Sequence, residues 1–490
     1  MARIKGVNSP TGGWNARDSL DEMPPDDAVR LDNWWPGRGK VTLRKGHESW
    51  ATGLGGNVEM LAEFHSGATQ AFIAGANGSI WDISTTGTAT SISSGFSSNQ
   101  WQWANFNGSM GLVNGVDTPQ TYDGSSTSNM TVSGSGLTVT TLIGINVYKS
   151  RTYFWADDSQ DFWYSPVNTL GGALTRFPLS RVSQFGGKLV TMATWTVDAG
   201  SGADDFAVFI MSTGDVIVYS GSDPGSDFAL QGVYKAAAPL SIRSTVKYGN
   251  TLIIATEDGY VSLTDVLNGR WEQGKRGKID PALSTVAARY KSNYGWQGIY
   301  YPAGNMLLFN IPVATNTTYN QHVFNTLTGA PARFKGLTSM CWGVYNGDCY
   351  FGNNGVVYKF WSGNSDNGSN IAGDALTAYT KLGLRGQKLV TGQQPILSSE
   401  GDISPAISTA IDYAEQTGIT ASPAAPLSGT AWDVATWDVD AWTGGTTIRK
   451  EWYPADGIGY VFATGFKIST QNQEVDWYST NWLLKPVRSI

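Results

Sequence analysis

Along most of this chain, short runs of alternating apolar and polar residues are broken at short intervals by Gly, Asn or Asp. The clearest stretch, residues 340–361, reads MCWGVY, NGD, CYFG, NNG, VVYKFW. Residues 246–266 (VKY, GN, TLIIAT, EDG, YVSLTDV) and 101–123 (WQWANF, NG, SMGLV, NGVDT, PQTYD) repeat the scheme. Alternation with period two is the pattern of half-buried strands. Asn-Gly and Asp-Gly reach positive φ at little cost, so they suit the tight turns between antiparallel strands. Seven such three-strand meanders can be traced, with second turns near positions 77, 117, 159, 214, 259, 316 and 354. A meander recurring about every 38 to 57 residues is how a β-propeller with insertions of variable length is written.

The expected fold is therefore all-β: a propeller of about seven blades, with six or eight also fitting the pattern. The outer, fourth strand of each blade is not legible. A leader (residues 1–50) precedes the repeats (51–362), and an additional C-terminal β domain (363–490) follows them. Within the leader, residues 41–44 form a short strand placed to close the ring on the last blade, and residues 24–31 resemble one helical turn. Helical signal is otherwise weak, best at 280–291 and 407–415. Residues 363–374 (GNSDNGSNIAGD) read as a solvated linker, and residues 366–370 within them as part of it rather than a calcium loop, because the closing Glu of an EF-hand is absent. Trp432, Trp437 and Trp442 stand five apart, a spacing that suits neither helix nor strand and reads as an ordered loop anchored by its indoles.

Composition supports the all-β reading and narrows the chemistry. Gly 59 and 12% aromatic residues suit turns and pleated surfaces. A net charge of −7 and a pI near 5.1 leave no basic footprint for gripping nucleic acid. An acidic wall can still surround DNA without holding it. No 18-residue apolar run predicts a membrane span, and the N-terminal MARIKGVNSP has no apolar core of a secretory leader. Cys341 and Cys349 flank an Asn-Gly turn, and in a tight hairpin Cys341 faces residue 352 or 353, so no disulfide is expected. Synthesis in a reducing cytoplasm fits.

Catalytic signals are sparse. His47, His65 and His322 are far apart and form no metal-binding spacing, and no nucleophile elbow, Walker loop or dinucleotide fingerprint occurs. The turns do not match the Asp boxes of propeller sialidases. The expectation is a protein without catalytic residues, cofactor or metal. Trp101, Trp103, Trp155, Phe162 and Trp163 read as packing between blades; a sugar-stacking platform is the rival reading. The basic run at 270–278 reads as a solvated loop. Long insertions at 198–204 and 313–321 are where a moving element is expected.

The leader supplies a resemblance. Gly12, Gly13, Asn15, Arg17 and Asp18 are followed by Met23, Pro24, Asp27 and Ala28, then by Leu31, Asp32, Asn33, Trp34 and Pro36, and finally by Arg44 and Gly46. This succession resembles the opening of the tail nozzle proteins of short-tailed bacteriophages, also called tail tubular or packaged-DNA stabilisation proteins. The Trp-Asp-Val repeat at 432–439 and the strand Val475-Asp476-Trp477-Tyr478 are similar to that family's C-terminal region. The resemblance implies a virion structural protein made in the host cytoplasm. It would form a homohexameric tube at the distal end of the tail channel, docked on a head-to-tail adaptor ring, with tail fibres or spikes nearby. DNA would pass through it without sequence-specific contact. Under this reading Trp14, Arg17, Asp32, Trp34, Trp35, Trp432, Trp437 and Trp442 are candidates for the assembly interface. The alternative is a propeller that binds or hydrolyses glycans.

Overall fold

A computed structural model describes residues 2–198, 203–269, 277–416, 419–424 and 446–487. Strands dominate it, and seven antiparallel meanders follow one another along the chain. The second comprises Gln102–Phe106, Ser109–Val113, Gln120–Tyr122 and Thr127–Asn129, and the fourth Leu189–Asp198, Ala203–Met211, Asp215–Ser220 and Ala229–Lys235. The turns use the chemistry their sequences advertise. Asn77, Asn107 and Asn346 sit at φ 51°, 48° and 50°, each followed by a glycine also at positive φ.

The first strand of each meander packs beside the next meander, against its first strand in every case but the fifth, where Leu189–Asp198 meets the second strand Thr251–Thr256, and the seventh (Cys341–Tyr345) returns to the first. All seven first strands line one central cavity. This is a propeller-like ring. The outer strands that sequence alone did not reveal include Thr90–Ser94, Gly172–Pro178 and Pro331–Lys335. They are short or irregular, with weak alternation. The fifth meander has three strands, followed by α1 (Leu263–Leu267) and α2 (Asp280–Tyr290). α2 lies where helical signal was expected.

Ring closure differs from the sequence expectation. The closing strand is not 41–44. One 20-residue strand, His47–Ser66, serves two sheets. Its first part pairs antiparallel with Asn354–Phe360 of the seventh meander, and its second part with Thr69–Ala76 of the first. Gly53 and Gly55, both at positive φ, lie in the register shift that ends the first part, between the pairs Thr52 with Val356 and Asn57 with Asn354, and let the strand change sheets. Val41–Leu43 instead joins the C-terminal unit, paired with Trp34–Pro36 and with Val475–Pro486. A strand that closes a ring and a strand that docks a second unit have the same local pattern, so only long-range pairing separates them.

Two other expectations fail. Residues 24–31 are not helical: Asp27–Asp32 is a strand set between Ile371–Thr377 and the sixth meander. Residues 407–415 begin with strand Ala406–Ile411, paired with Phe462–Thr470. In both, partner strands override a marginal helical preference. The C-terminal unit consists of long antiparallel strands, chiefly Lys388–Ser399 against Val475–Pro486. The leader is threaded between it and the sixth and seventh meanders. No helix among the described residues is long and apolar enough to cross a membrane.

Candidate functional site: the leader joint and the propeller axis

The polar side chains of the leader converge where propeller and C-terminal unit meet. Asn33 is the meeting point. It sits at φ 62°, a conformation Asn tolerates better than most side chains. Its Nδ2 donates to the Ala372 carbonyl of the C-terminal unit at 2.8 Å. Its Oδ1 accepts from the backbone N–H of Lys335 in the sixth meander at 2.8 Å and from Arg44 Nε at 3.0 Å. Arg44 is 1% exposed and grips Asp366 bidentately, at 2.7 and 2.6 Å. His47 Nδ1 lies 3.1 Å from the same carboxylate. Burial pushes the Asp366 pKa up, but the hydrogen bonds from His47 and Arg44 outweigh it and hold the group below the usual carboxylate value.

Asp366 therefore does not lie in a solvated linker. The polar run at 363–374 folds back onto the leader, and a Cβ at Gly46 would lie 1.8 Å from the Ser365 carbonyl oxygen. A second buried carboxylate, Asp32, pairs with Arg333 at 2.7 and 2.9 Å and with Lys335 at 2.8 Å. Farther out, Arg30 bridges Asp374 and Glu415. Asp32, Asn33, His47, Lys335, Asp366 and Asp374 line a polar cleft of about 540 Å³. At the other end of the leader, Asn15 donates to both Asp18 and Asp27 at 2.8 Å. Lys278 closes on Asp27 at 2.6 Å and on the Gly12 carbonyl at 2.8 Å. Lys278 is thus a tie to the leader rather than a solvated cation; residues 270–276 of that basic run lie outside the described residues.

The aromatic residues of the leader divide by strand period. Trp34 is fully buried against Phe466 and Trp477 of the C-terminal unit, whereas Trp35 packs on Phe334 and Trp361 of the propeller. Adjacent residues of a strand face opposite ways, so two neighbouring indoles pin two units. Trp14 packs edge-on against His322 at 5.1 Å, and the Arg333 guanidinium lies 4.9 Å from its ring. His322 is buried, its Nδ1 is 2.9 Å from the Tyr260 hydroxyl, and burial and the Arg333 charge lower its pKa to about 3.

As assembly-interface candidates, then, Trp14, Asp32 and Trp34 are spent inside the chain: each is buried and has no free face to offer a partner. Trp35 is half-buried by propeller aromatics, and Arg17, paired with Asp18, stays partly exposed. Trp432, Trp437 and Trp442 lie outside the described residues. Sequence reading missed Asn33, Arg44 and Asp366 as one unit, because a separation of 322 positions between Arg44 and Asp366 hides their adjacency.

The central cavity measures about 440 Å³. Arg243, ahead of the fifth meander, reaches across it: Nε donates to Gln102 Oε1 at 3.1 Å, Nη1 to the Glu59 carbonyl at 3.0 Å and Nη2 to the Trp101 carbonyl at 2.7 Å. The Tyr294 hydroxyl donates to the same Glu59 carbonyl at 2.7 Å. Around the axis, side chains tie neighbouring blades: Asn105 to the Glu63 carbonyl, Asn146 to the Met192 carbonyl, Thr191 to the Ile242 carbonyl and Gln297 to the Trp342 carbonyl. Glu63 is the one carboxylate among the lining residues, whereas glycoside hydrolysis generally uses a pair. Trp101, Trp155 and Trp163 are buried between blades, while Trp103 is 37% exposed. Among the described residues, no group of three or more His, Cys, Asp and Glu is arranged to hold a metal ion. Cys341 pairs with Gly352 across its hairpin, and both cysteines are free and buried. Residues 313–321 are the tip of the hairpin Met306–Ala314 and Thr318–Asn325 rather than a loose insertion; residues 199–202 of the other insertion lie outside the described residues.

No family model matches the chain, and no curated protein matches it by sequence. Among solved structures it is similar to the WD40 β-propeller domain of Doa1, at 11% identity and a TM-score of 0.39, over 64% of this chain and 96% of that one. It is similar to YCF48 bound to D1 peptide, at 10% identity and a TM-score of 0.38, over 68% and 96%. A computationally designed protein, Ika8, is similar at 11% identity and a TM-score of 0.36, over 64% and 99%.

Proposed function

We propose that this chain is a virion structural protein, the nozzle subunit of a short phage tail, which retains packaged DNA and releases it on host contact. The observation that carries the reading is the leader. The positions that resemble the nozzle family are scattered over residues 12–46, yet in space they act on one another: Asn15 with Asp18 and Asp27, and Asn33 with Arg44. Their mutual bonding supports reading these positions together as one structural device. Its task is to lock a ring-shaped wall to a second β unit, as a subunit under internal DNA pressure requires.

The axis supports the same reading. A cavity of about 440 Å³ crossed by a guanidinium does not pass a duplex whose major groove alone is about 12 Å wide. A conduit must then be enclosed by several copies, arranged head to tail around a rotation axis. A net charge of −7 lets such a wall surround DNA without retaining it.

The test is negative-stain imaging with mass measurement of the purified protein, alone and mixed with a candidate adaptor ring. Hexameric rings with an axial opening are the expected result. A strict monomer in both conditions that also turns over a glycan would overturn the nozzle in favour of a propeller glycosidase.

A further inference from the structure

The facing sides of the fifth and sixth meanders bound a second cavity, of about 270 Å³. Strand period builds its wall. Tyr260 and Ser262 lie two apart on Gly259–Ser262, and Leu307 and Phe309 two apart on Met306–Ala314, so each pair projects to one face. Ile253 lies directly opposite Ser262, and Phe324 directly opposite Leu307, which brings both onto those faces. The Phe324 ring stands at 86° to Tyr260 and at 88° to Phe309, with centroids 5.2 and 6.3 Å away, so the three rings make a corner. Tyr248, at the end of Thr245–Tyr248, adds a fourth ring to the lining.

Most polar groups of this wall are spent within the chain. The Tyr260 hydroxyl lies 2.9 Å from His322 Nδ1, and the Tyr248 hydroxyl donates to the Thr326 carbonyl at 3.3 Å. The Ser262 hydroxyl is 3.0 Å from that of Thr251. Asn325 donates from Nδ2 to the Pro36 carbonyl and accepts at Oδ1 from the Leu327 N–H, both at 2.9 Å. The Asp265 carboxylate, on α1, differs. It is half-buried in the lining, and among the described residues no hydrogen bond or ion pair engages it. No Lys, Arg or His lines the cavity to balance its charge.

Aromatic rings attract cations through their quadrupole, and an ionised carboxylate binds a charged donor more strongly than a neutral one. An aromatic cavity that offers one negative charge and no positive one therefore selects an organic cation, its apolar body against the rings. A sugar needs several free donors and acceptors, which this wall has already used on itself. The volume equals about nine waters' share of liquid, which suits a small free molecule.

We propose that this cavity binds a small free organic cation, an aryl- or alkylammonium, whose ammonium group donates to the Asp265 carboxylate and whose body rests among Tyr248, Tyr260, Phe309 and Phe324. The inference goes beyond the nozzle reading and does not rest on it.

Titration calorimetry with 2-phenylethylammonium chloride tests it. Saturable binding is expected, with a Kd of about 1 mM or tighter. 2-Phenylethanol, which carries a hydroxyl in place of the ammonium, should bind about tenfold more weakly or worse, and glucose should not bind. Asp265→Asn should weaken the amine about tenfold and leave the alcohol unchanged. Because that carboxylate engages no partner, the melting temperature of the variant should match wild type. Tyr248→Leu, which keeps an apolar wall but removes a ring, should weaken the amine more than the alcohol. Four results overturn the proposal: no saturable binding of the amine, an alcohol that binds as tightly, an affinity indifferent to Asp265→Asn, or glucose binding at this site, the last of which would favour the glycan reading. None of the four bears on ring formation, so this inference and the nozzle reading fail separately.

Discussion

Replacing Arg44 by Ala removes the cation at the centre of the leader joint. Five acceptors lose a donor: both Asp366 oxygens, Asn33 Oδ1 and the carbonyls of Lys45 and Lys335. Breaking a buried ion pair from one side costs about 3–5 kcal/mol, because the remaining charge stays desolvated. Asp366 keeps 15% of its side chain in water and retains His47, which places the cost near the lower limit, about 3 kcal/mol. At about 2.1 cal/mol/K per residue, 490 residues melting together have an unfolding entropy near 1 kcal/mol/K, so the midpoint should fall by about 3 °C. The deficit should also depend on pH. In the wild type the Asp366 pKa is lowered in the fold, so its contribution is present above about pH 4 and is lost as pH falls. The gap between wild type and variant should therefore be widest near neutrality and narrow toward acid. Calorimetry or urea unfolding at pH 7 and pH 4 measures both, and hydrogen exchange at residues 363–370 should accelerate. A midpoint within 1 °C of wild type at pH 7, or a gap that grows toward acid, would refute the argument. Combining Arg44→Met with Asp366→Leu should recover most of the loss, since no charge is then left buried.

Arg243→Ala should cost about 2–4 kcal/mol through three lost charge-assisted hydrogen bonds across the axis, read by urea unfolding, with faster amide exchange near Glu59 and Trp101; a change under about 0.5 kcal/mol would mean that the axis is held by its inter-blade ties alone. His322, whose pKa burial and Arg333 lower to about 3, takes up a proton more readily when unfolded, so its contribution is complete above about pH 6.5 and falls by about 1.4 kcal/mol per pH unit below that; His322→Gln should flatten this limb of a stability-against-pH curve. The two thiols, pushed up by burial (Cys341 to about 12), should resist alkylation in the native protein and both react in denaturant, with no mass change on prior reduction.

How much was legible follows from where each signal is stored. Turn residues such as Asn77-Gly78 and Asn346-Gly347 carry their conformation locally, so the meanders could be read from them. The cysteine geometry was legible for the same reason, because a hairpin fixes its own register. The joint was not. Asn33 and Arg44 were visible only as members of a resemblance, and Asp366 read as part of a linker, since nothing local distinguishes a carboxylate that will meet a buried guanidinium from one that will meet water. The leader tryptophans were legible as anchors, but their partners lie on strands hundreds of residues away, which is why Trp34 was expected at a surface and is found in the core.

By itself the amino-acid sequence determined the all-β class, the meander and its period, and the acidic net charge, because alternation, turn chemistry and charge are properties of neighbouring residues or of simple sums. Only the tertiary structure decided which strand closes the ring, that Arg243 bars the axis, and that the leader is the joint between two units. Each of these depends on pairing between distant segments, and the same short strand, such as 41–44 or 47–52, satisfies its backbone equally well beside either partner until the rest of the chain is in place.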